Sequence, residues 1–169
     1  VQFDRALEFL AEHPDRPAFL ELHLMDMHLP YTEPLSYRGK FAGDVPDSLS
    51  GAYFHRSEIT KAGKKLGEEG RQYVRDRYDN NLAYIDDQLD RVFSLLGPDD
   101  TVIIVSDHGE EFWDHGGFEH GHTLYDELLR VPMMMWGPGI APGRHAEPVS
   151  LLDVAPTIAV AAGLEPKGM

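Results

Sequence analysis

Seven apolar residues, Val74, Tyr78, Leu82, Ile85, Leu89, Val92 and Leu96, follow one another at intervals of four, four, three, four, three and four. The spacing keeps one face of an α-helix apolar and predicts a helix of about seven turns over residues 67–96, closed by Gly97-Pro98. An uninterrupted β-branched run, Val102-Ile-Ile-Val105, comes next. Such a run, bounded by turn residues, predicts a strand covered on both faces, as in a parallel sheet. The long stripe also suits a coiled-coil zipper, but Ala18-Phe-Leu-Glu-Leu-His-Leu24 upstream is strand-like. A strand–helix–strand succession favours a crossover helix packed on parallel strands. The chain therefore reads as α/β, a parallel-rich sheet flanked by helices.

Smaller elements fit around this frame. Phe3, Ala6, Leu7, Phe9 and Leu10 recur at helical spacing before Pro14 and predict an amphipathic helix over residues 2–12. Pro30 enforces a turn after the 18–24 strand, and from Thr32 to about Leu66 the aperiodic Pro, Gly, Ser and Lys content predicts a long surface excursion. Glu111 to Gly121 is a polar loop rich in Gly and His. Thr123-Leu-Tyr-Asp126 resembles a capping box opening a short helix, followed by a strand at residues 131–136 and a tight turn at Gly137-Pro-Gly139. A last helix is predicted over residues 152–162, with Gly163 at its C-terminal cap.

The 169 residues suit one domain with a real core. Twenty-nine acidic against fifteen basic residues give a net charge of −14, which argues against nucleic acid or an anionic membrane surface as the main partner. No window approaches the run of about eighteen apolar residues that a spanning helix needs. Residues 1–5 lack signal-peptide architecture, although a targeting segment upstream of Val1 is not excluded. With no cysteine, disulfides, thiolate metal sites and a cysteine nucleophile are excluded for this stretch. Location stays open between periplasmic or secreted and cytoplasmic, as does oligomeric state.

The buried run 102–105 leads through Ser106 into Asp107-His108-Gly109. Ligands of parallel sheets sit beyond the carboxyl ends of the strands, and an Asp-His pair offers charge and a neutral nitrogen to a divalent cation of intermediate hardness. An Asp capping the following turn beside an exposed His is the plainer reading of the pair. Four of the nine histidines, His108, His115, His120 and His122, crowd into fifteen residues, where a merely solvating loop would use Lys, Glu and Ser. His120 and His122 stand just before a predicted helix, placed to hold an anionic group. His115, between Asp114 and two glycines, reads as structural or exposed. His28, in the turn after the first strand, suits substrate binding or general acid work. If both strands are parallel, His28 and the Asp107-His108 pair leave the sheet at one edge and share a crevice. His23 reads as a core or sheet-face residue, His13, His55 and His145 as surface residues, and Asp86-Asp87 as the solvated shoulder of the long helix. Ser106 lacks the Gly-x-Ser-x-Gly elbow of a serine hydrolase, and no Gly-rich phosphate loop is present.

Taken together, Phe19-Leu-Glu-Leu-His-Leu-Met-Asp-Met-His-Leu-Pro-Tyr31, Tyr78-Asp-Asn-Asn-Leu-Ala-Tyr-Ile-Asp-Asp87, Val102-Ile-Ile-Val-Ser-Asp-His-Gly-Glu110, Gly121-His-Thr-Leu-Tyr-Asp-Glu127 with Arg130-Val-Pro132, and Ser150-Leu-Leu-Asp-Val-Ala-Pro-Thr157 resemble the motifs of the sulfatase family. The family belongs to the alkaline-phosphatase-like superfamily, and the resemblance extends over nearly the whole chain. It implies that residues 1–169 are the middle and later part of one sulfatase-like catalytic domain, an alkaline-phosphatase-like fold left incomplete. Family members carry an earlier segment with paired acidic metal ligands and a Cys- or Ser-x-Pro/Ala-x-Arg motif whose first residue becomes a formylglycine nucleophile. No such motif occurs here, so the nucleophile is expected outside this chain.

By the same resemblance, Asp107 and His108 match the family's second pair of metal ligands. His28 matches the histidine that contacts the sulfate or the leaving-group oxygen. His122, or else His120, lies where sulfatases place a lysine that holds the same group. The implied cofactor is one divalent metal, calcium, with manganese and zinc as alternatives, and the implied partner is a sulfate ester of a small molecule or glycan. Many sulfatases have Asp-Asn in place of Asp107-His108, and the histidine variant is frequent in related phosphodiesterases, phosphonate hydrolases and phosphoethanolamine transferases. The implied activity of the longer protein is metal-dependent sulfuric ester hydrolysis, with those phospho- and phosphonate-ester reactions as the rival. A non-catalytic truncated domain that binds metal or a partner is the other reading, and the stretch 1–169 alone is expected to be inactive.

Overall fold

The computed structural model describes residues 2–14, 16–46, 49 and 66–168. His55 and the larger part of residues 47–65 of the predicted excursion lie outside the described residues. In chain order the elements are helix α1 (Gln2–Glu12), helix α2 (Glu68–Phe93), strands β1 (Val102–Val105), β2 (Glu111–Phe112) and β3 (Phe118–Glu119), helix α3 (Asp126–Leu129), strand β4 (Met133–Trp136), a 3-10 turn (Leu151–Asp153) and helix α4 (Val154–Ala161). The chain divides into two compact units, Val1–Leu96 with His115–Phe118, and Gly97–Asp114 with Glu119–Met169. No described helix is long and apolar enough to cross a membrane.

In the first unit, the amphipathic α1 lies on α2. Phe3, Ile85 and Val92 are buried together, and Leu7, Leu10, Leu22, Leu24, Met27, Tyr84 and Leu89 pack around them. Phe3 meets Tyr84 edge-on at 6.2 Å. The C-terminal half of the apolar stripe on α2 is thus consumed inside the chain, which disposes of the zipper. Its N-terminal half departs from the predicted register: Leu82 is 50% exposed, whereas Arg77, Asn80 and Asn81 are buried beside Tyr73 and Val74. The predicted strand 18–24 has no ladder among the described residues and runs as irregular chain. From Glu21 to Met25 its side chains still alternate between exposed and half-buried. Leu22 and Leu24 join the core, so the intervening His23 is exposed rather than a core or sheet-face residue.

In the second unit, β1 pairs antiparallel with β4, from Val102 opposite Trp136 to Val105 opposite Met133. The described strands form two two-stranded sheets, and the parallel-rich sheet expected from the sequence is not seen among the described residues. Nor is β1 covered on both faces, since Val105 is exposed and the other three residues are half-buried. A β-branched run shows which burial a strand can exploit, but neighbouring strands and helices decide whether it receives it. The short α3 starts at Asp126 with no side-chain cap from its N-terminal neighbour Tyr125, so Thr123 opens no capping box. A capping box does exist at Ser150, whose hydroxyl accepts from the Leu152 N–H at 3.2 Å while Asp153 accepts from the Ser150 N–H. At the far end of α4, Gly163 adopts φ 73°. This left-handed step lets the Leu164 N–H reach the Ala159 carbonyl at 2.8 Å.

Candidate active site

Within the second unit the chain leaves β1 at Val105 and makes a tight polar turn. The Ser106 hydroxyl donates to the His108 carbonyl at 2.6 Å, so Ser106 is engaged in holding the turn. The His108 N–H donates to Asp107 Oδ1 at 3.1 Å, leaving the Asp107 side chain 81% exposed. His108 Nδ1 lies 2.8 Å from the Gly109 carbonyl. A carbonyl only accepts, so Nδ1 carries a proton and Nε2 is the nitrogen available to ligate a cation. Nε2 is 3.8 Å from Asp107 Oδ1, a spacing that one cation bound to both atoms at roughly 2.0–2.4 Å would span.

Gly109 explains why the turn sits where it does. Its N–H donates to the Leu128 carbonyl at 2.9 Å, and a Cβ there would fall 1.9 Å from the Glu127 carbonyl oxygen. Only a residue without a side chain brings the Asp107-His108 turn this close to α3.

Two histidine–glutamate pairs stand beside the turn. The His120 ring lies over that of His108 at 3.9 Å, tilted by 31°, and its Nδ1 is 2.9 Å from Glu110 Oε1. His122 Nε2 is 2.8 Å from Glu111 Oε2, and Glu111 is fully buried. A carboxylate only accepts, so Glu110 and Glu111 fix which nitrogen of each ring carries the proton. The loop bearing them contains two non-glycine residues in the left-handed region, Trp113 at φ 66° and Glu119 at φ 75°. Residues held in that region cluster at functional sites.

His28 belongs to the first unit. Its N–H closes a turn onto the Met25 carbonyl at 3.0 Å, and its Nδ1 lies 2.8 Å from the Leu29 carbonyl. This repeats the His108 device, with the proton on Nδ1 facing the carbonyl of the next residue. The peptide that follows, Leu29-Pro30, is cis, and Tyr31 beyond it is fully buried, its ring edge-on to Tyr78 at 5.5 Å.

The structure thus brings Asp107, His108, His120 and His122 together in the second unit, while His28 lies in the first. Among the described residues, no group of three or more His, Asp or Glu is placed to hold a metal ion. Asp107 and His108 therefore offer two ligands of the four or more a divalent cation takes. His115 and His145 are exposed, and His13 is half-buried with its ring against Phe9. Asp86 and Asp87 are exposed on α2 as expected, and Asp87 accepts the Tyr37 hydroxyl at 2.7 Å. That bond holds the Tyr37 phenol above its ordinary value. The sequence reading passed over Glu110 and Glu111. A pair of acids at a strand edge, ten or eleven residues ahead of two histidines, was the available signal.

The model of the sulfatase family matches residues 1–164. The chain belongs to the sulfatase family. The matched span contains each candidate residue: His28, Asp107, His108, His120 and His122. The chain is similar to the uncharacterized sulfatase YidJ of Escherichia coli (strain K12), at 28% identity over 96% of this chain and 35% of that protein. It is also similar to a choline-sulfatase of Rhizobium meliloti (strain 1021), at 38% identity over 57% of this chain and 20% of that protein. In structure it resembles BT1596, a 2-O GAG sulfatase, with a TM-score of 0.57 and 22% identity over 98% of this chain and 36% of that one. The fold is therefore α/β of the alkaline-phosphatase-like kind. The sulfatase chain spans about a third of YidJ and of BT1596, and a fifth of the choline-sulfatase.

Proposed function

We propose that the longer protein carrying this chain hydrolyses sulfuric esters, and that residues 1–169 are the middle and later part of its catalytic domain. The observation that carries the reading is the Asp107-His108 turn: a carboxylate oxygen and an imidazole Nε2 3.8 Å apart, with the tautomer set by the Gly109 carbonyl, in a chain of the sulfatase family. These two residues would hold one divalent cation, for which we put calcium ahead of manganese and zinc. Bound there, the cation supplies charge stabilisation to the sulfate oxygens.

The remaining roles fall to the chain's own residues. His122, or else His120, holds a non-bridging sulfate oxygen, its ring anchored by Glu111 or Glu110. His28 protonates the departing alcohol, and its role rests on the motif in which it stands. The nucleophile, a formylglycine, is supplied from outside residues 1–169. In the whole catalytic domain, a parallel-rich α/β fold, the 18–24 segment and β1 are each covered by further elements. Exposed apolar side chains along both, Phe19 and Leu20 on the first and Val105 on the second, support further coverage. The substrate is a sulfated small molecule or glycan, a range suggested by the names of the choline-sulfatase and the 2-O GAG sulfatase.

The test is hydrolysis of 4-nitrophenyl sulfate against bis(4-nitrophenyl) phosphate by the full-length protein with calcium, manganese or zinc. Sulfate turnover exceeding phosphodiester turnover by at least about tenfold, a difference of about 1.4 kcal/mol in barrier, supports the proposal. The reverse preference moves the protein to phosphoryl chemistry, and no turnover of either ester favours a non-catalytic role.

A further inference from the structure

The first unit buries an ion pair that its fold does not obviously need. Arg77 and Glu33 are both buried, and Arg77 Nε donates to Glu33 Oε2 at 2.6 Å. The other arm of the guanidinium, Nη2, donates to the Tyr31 carbonyl. Asn80, one turn further along α2, is also fully buried. Its amide nitrogen lies 3.5 Å from Glu33 Oε1, and its oxygen accepts the Phe41 N–H at 2.9 Å. Arg38 approaches the same carboxylate from the more exposed side at 3.9 Å.

Replacing a buried ion pair by apolar packing of similar volume is often neutral or stabilising, so such a pair is weak grounds for a stabilising role and better attested as a device that selects one geometry. Here the geometry selected is that of the loop from Tyr31 to Phe41, gripped at both ends by two residues of one helix. The carbonyl held by Arg77 lies three residues beyond His28. The His28 ring is oriented through the Leu29 carbonyl, so its direction follows the backbone between Met25 and Tyr31. A planar guanidinium can hold a carboxylate and a carbonyl at once in fixed directions, whereas a lysine ammonium offers a point charge without that fork.

We propose that Arg77 is a positioning residue for His28: through the buried Glu33 carboxylate and the Tyr31 carbonyl it fixes where the His28 Nε2 points. The inference rests on the reading of His28 as proton donor to the leaving alcohol. It also adds a long-range requirement absent from that reading, since Arg77 is buried with its guanidinium on Glu33 and the Tyr31 carbonyl.

The test uses the full-length protein and a series of sulfate esters running from 4-nitrophenyl sulfate, whose leaving group needs no proton, to alkyl sulfates, whose leaving group does. In R77K the charge stays while the fork is lost. The expected result is a fall in kcat of about a hundredfold for the alkyl sulfate against less than about threefold for 4-nitrophenyl sulfate, with KM little changed. Val92→Ala, in the core between α1 and α2, serves as the comparator for destabilisation alone and should leave the leaving-group dependence as in the wild type. E33Q should reproduce the R77K pattern, and it decides the matter should R77K fail to fold. A loss spread evenly over the ester series, or the same pattern in Val92→Ala, overturns the proposal.

If the wild type turns over no sulfate, the proposed activity fails. The positioning claim is then read from the imidazole nitrogen resonances of His28. A move away from the Nδ1-protonated pattern in R77K and E33Q, but not in Val92→Ala, upholds it, and unchanged resonances overturn it.

Discussion

Replacing Gly109 by alanine adds one methyl group at the tightest backbone approach near the candidate metal ligands. The new Cβ would stand 1.9 Å from the Glu127 carbonyl oxygen, 2.9 Å from the Glu127 carbonyl carbon and 3.2 Å from Leu128 Cα. Carbon contacts are comfortable at about 3.5–4.0 Å, so the nearest contact is short by about 1.5 Å. All three obstructing atoms are backbone, and no side-chain rotation relieves them. The turn and α3 must separate, which stretches the 2.9 Å bond from the Gly109 N–H to the Leu128 carbonyl. Overpacking costs about 1–3 kcal/mol and the lost hydrogen bond about 1 kcal/mol, a total of about 2–4 kcal/mol. For a domain of 150 residues or more this lowers Tm by about 4–16 °C. Because the Gly109 carbonyl also sets the His108 tautomer, the same substitution should weaken divalent-cation affinity about tenfold to a hundredfold, as loss of a metal ligand's hydrogen-bonding partner does. Thermal melts and isothermal titration of calcium, manganese and zinc into wild-type and Gly109→Ala full-length protein read both effects. A Tm within about 1 °C of wild type together with unchanged affinity would refute the reasoning.

The ligand pair itself is tested by Asp107→Asn and His108→Ala. Each should lower cation affinity of the full-length protein by at least about a hundredfold, with little effect of Asp107→Asn on Tm in the metal-free state because that side chain is 81% exposed; unchanged affinity in either variant removes that residue from the site. A pH-dependent effect is expected at Asp79 on α2, whose carboxyl is pushed above its ordinary value by burial and then by Asp76. With the folded value above the unfolded one, the folded state binds more protons between the two, so stability falls as pH rises through that window and the penalty persists at neutral pH. Asp79→Asn should therefore raise Tm at pH 7, and the gain should vanish below the ordinary aspartate value of 3.8; a gain that persists there would count against the electrostatic cause.

Much of the frame was legible because periodicity reports burial directly. The predicted 2–12 helix, the long α2, β1, β4 and the Gly163 cap all stand close to where the sequence placed them. The failures have particular causes. Leu82 belongs to the apolar stripe by type, yet Asn80 and Asn81 take the buried positions because hydrogen bonds make those amides welcome inside, Asn80 to loop backbone and the Glu33 carboxylate and Asn81 to the Arg77 carbonyl of its own helix. No apolar pattern encodes that choice. At Thr123 the motif was present but the helix began later, since a cap is used only where the backbone exposes donors to it. Orientation of strands is a long-range property, and four residues of Val and Ile carry no record of which way the neighbour runs. In the candidate site, Asp107 and His108 announced themselves by their place after a strand. Glu110 and Glu111 did not, because their work is done on side chains ten and eleven residues away.

The Glu33–Arg77 pair also imposes an order on how the first unit assembles. The two residues are 44 positions apart, and Asn80 reaches back 39 positions to Phe41. Closing a chain segment of that length costs about 3 kcal/mol in lost freedom beyond a constant, whereas the turns of α2 need only near neighbours and form within about a microsecond. The turns of α2 are therefore expected to outlast the grip on the loop, so that the loop from Tyr31 to Phe41 opens before the helix unwinds. Local opening can free the His28 segment while α2 stays wound. Amide exchange at Phe41, whose N–H is held by Asn80, reports that shallow opening, and exchange within α2 reports the deeper one.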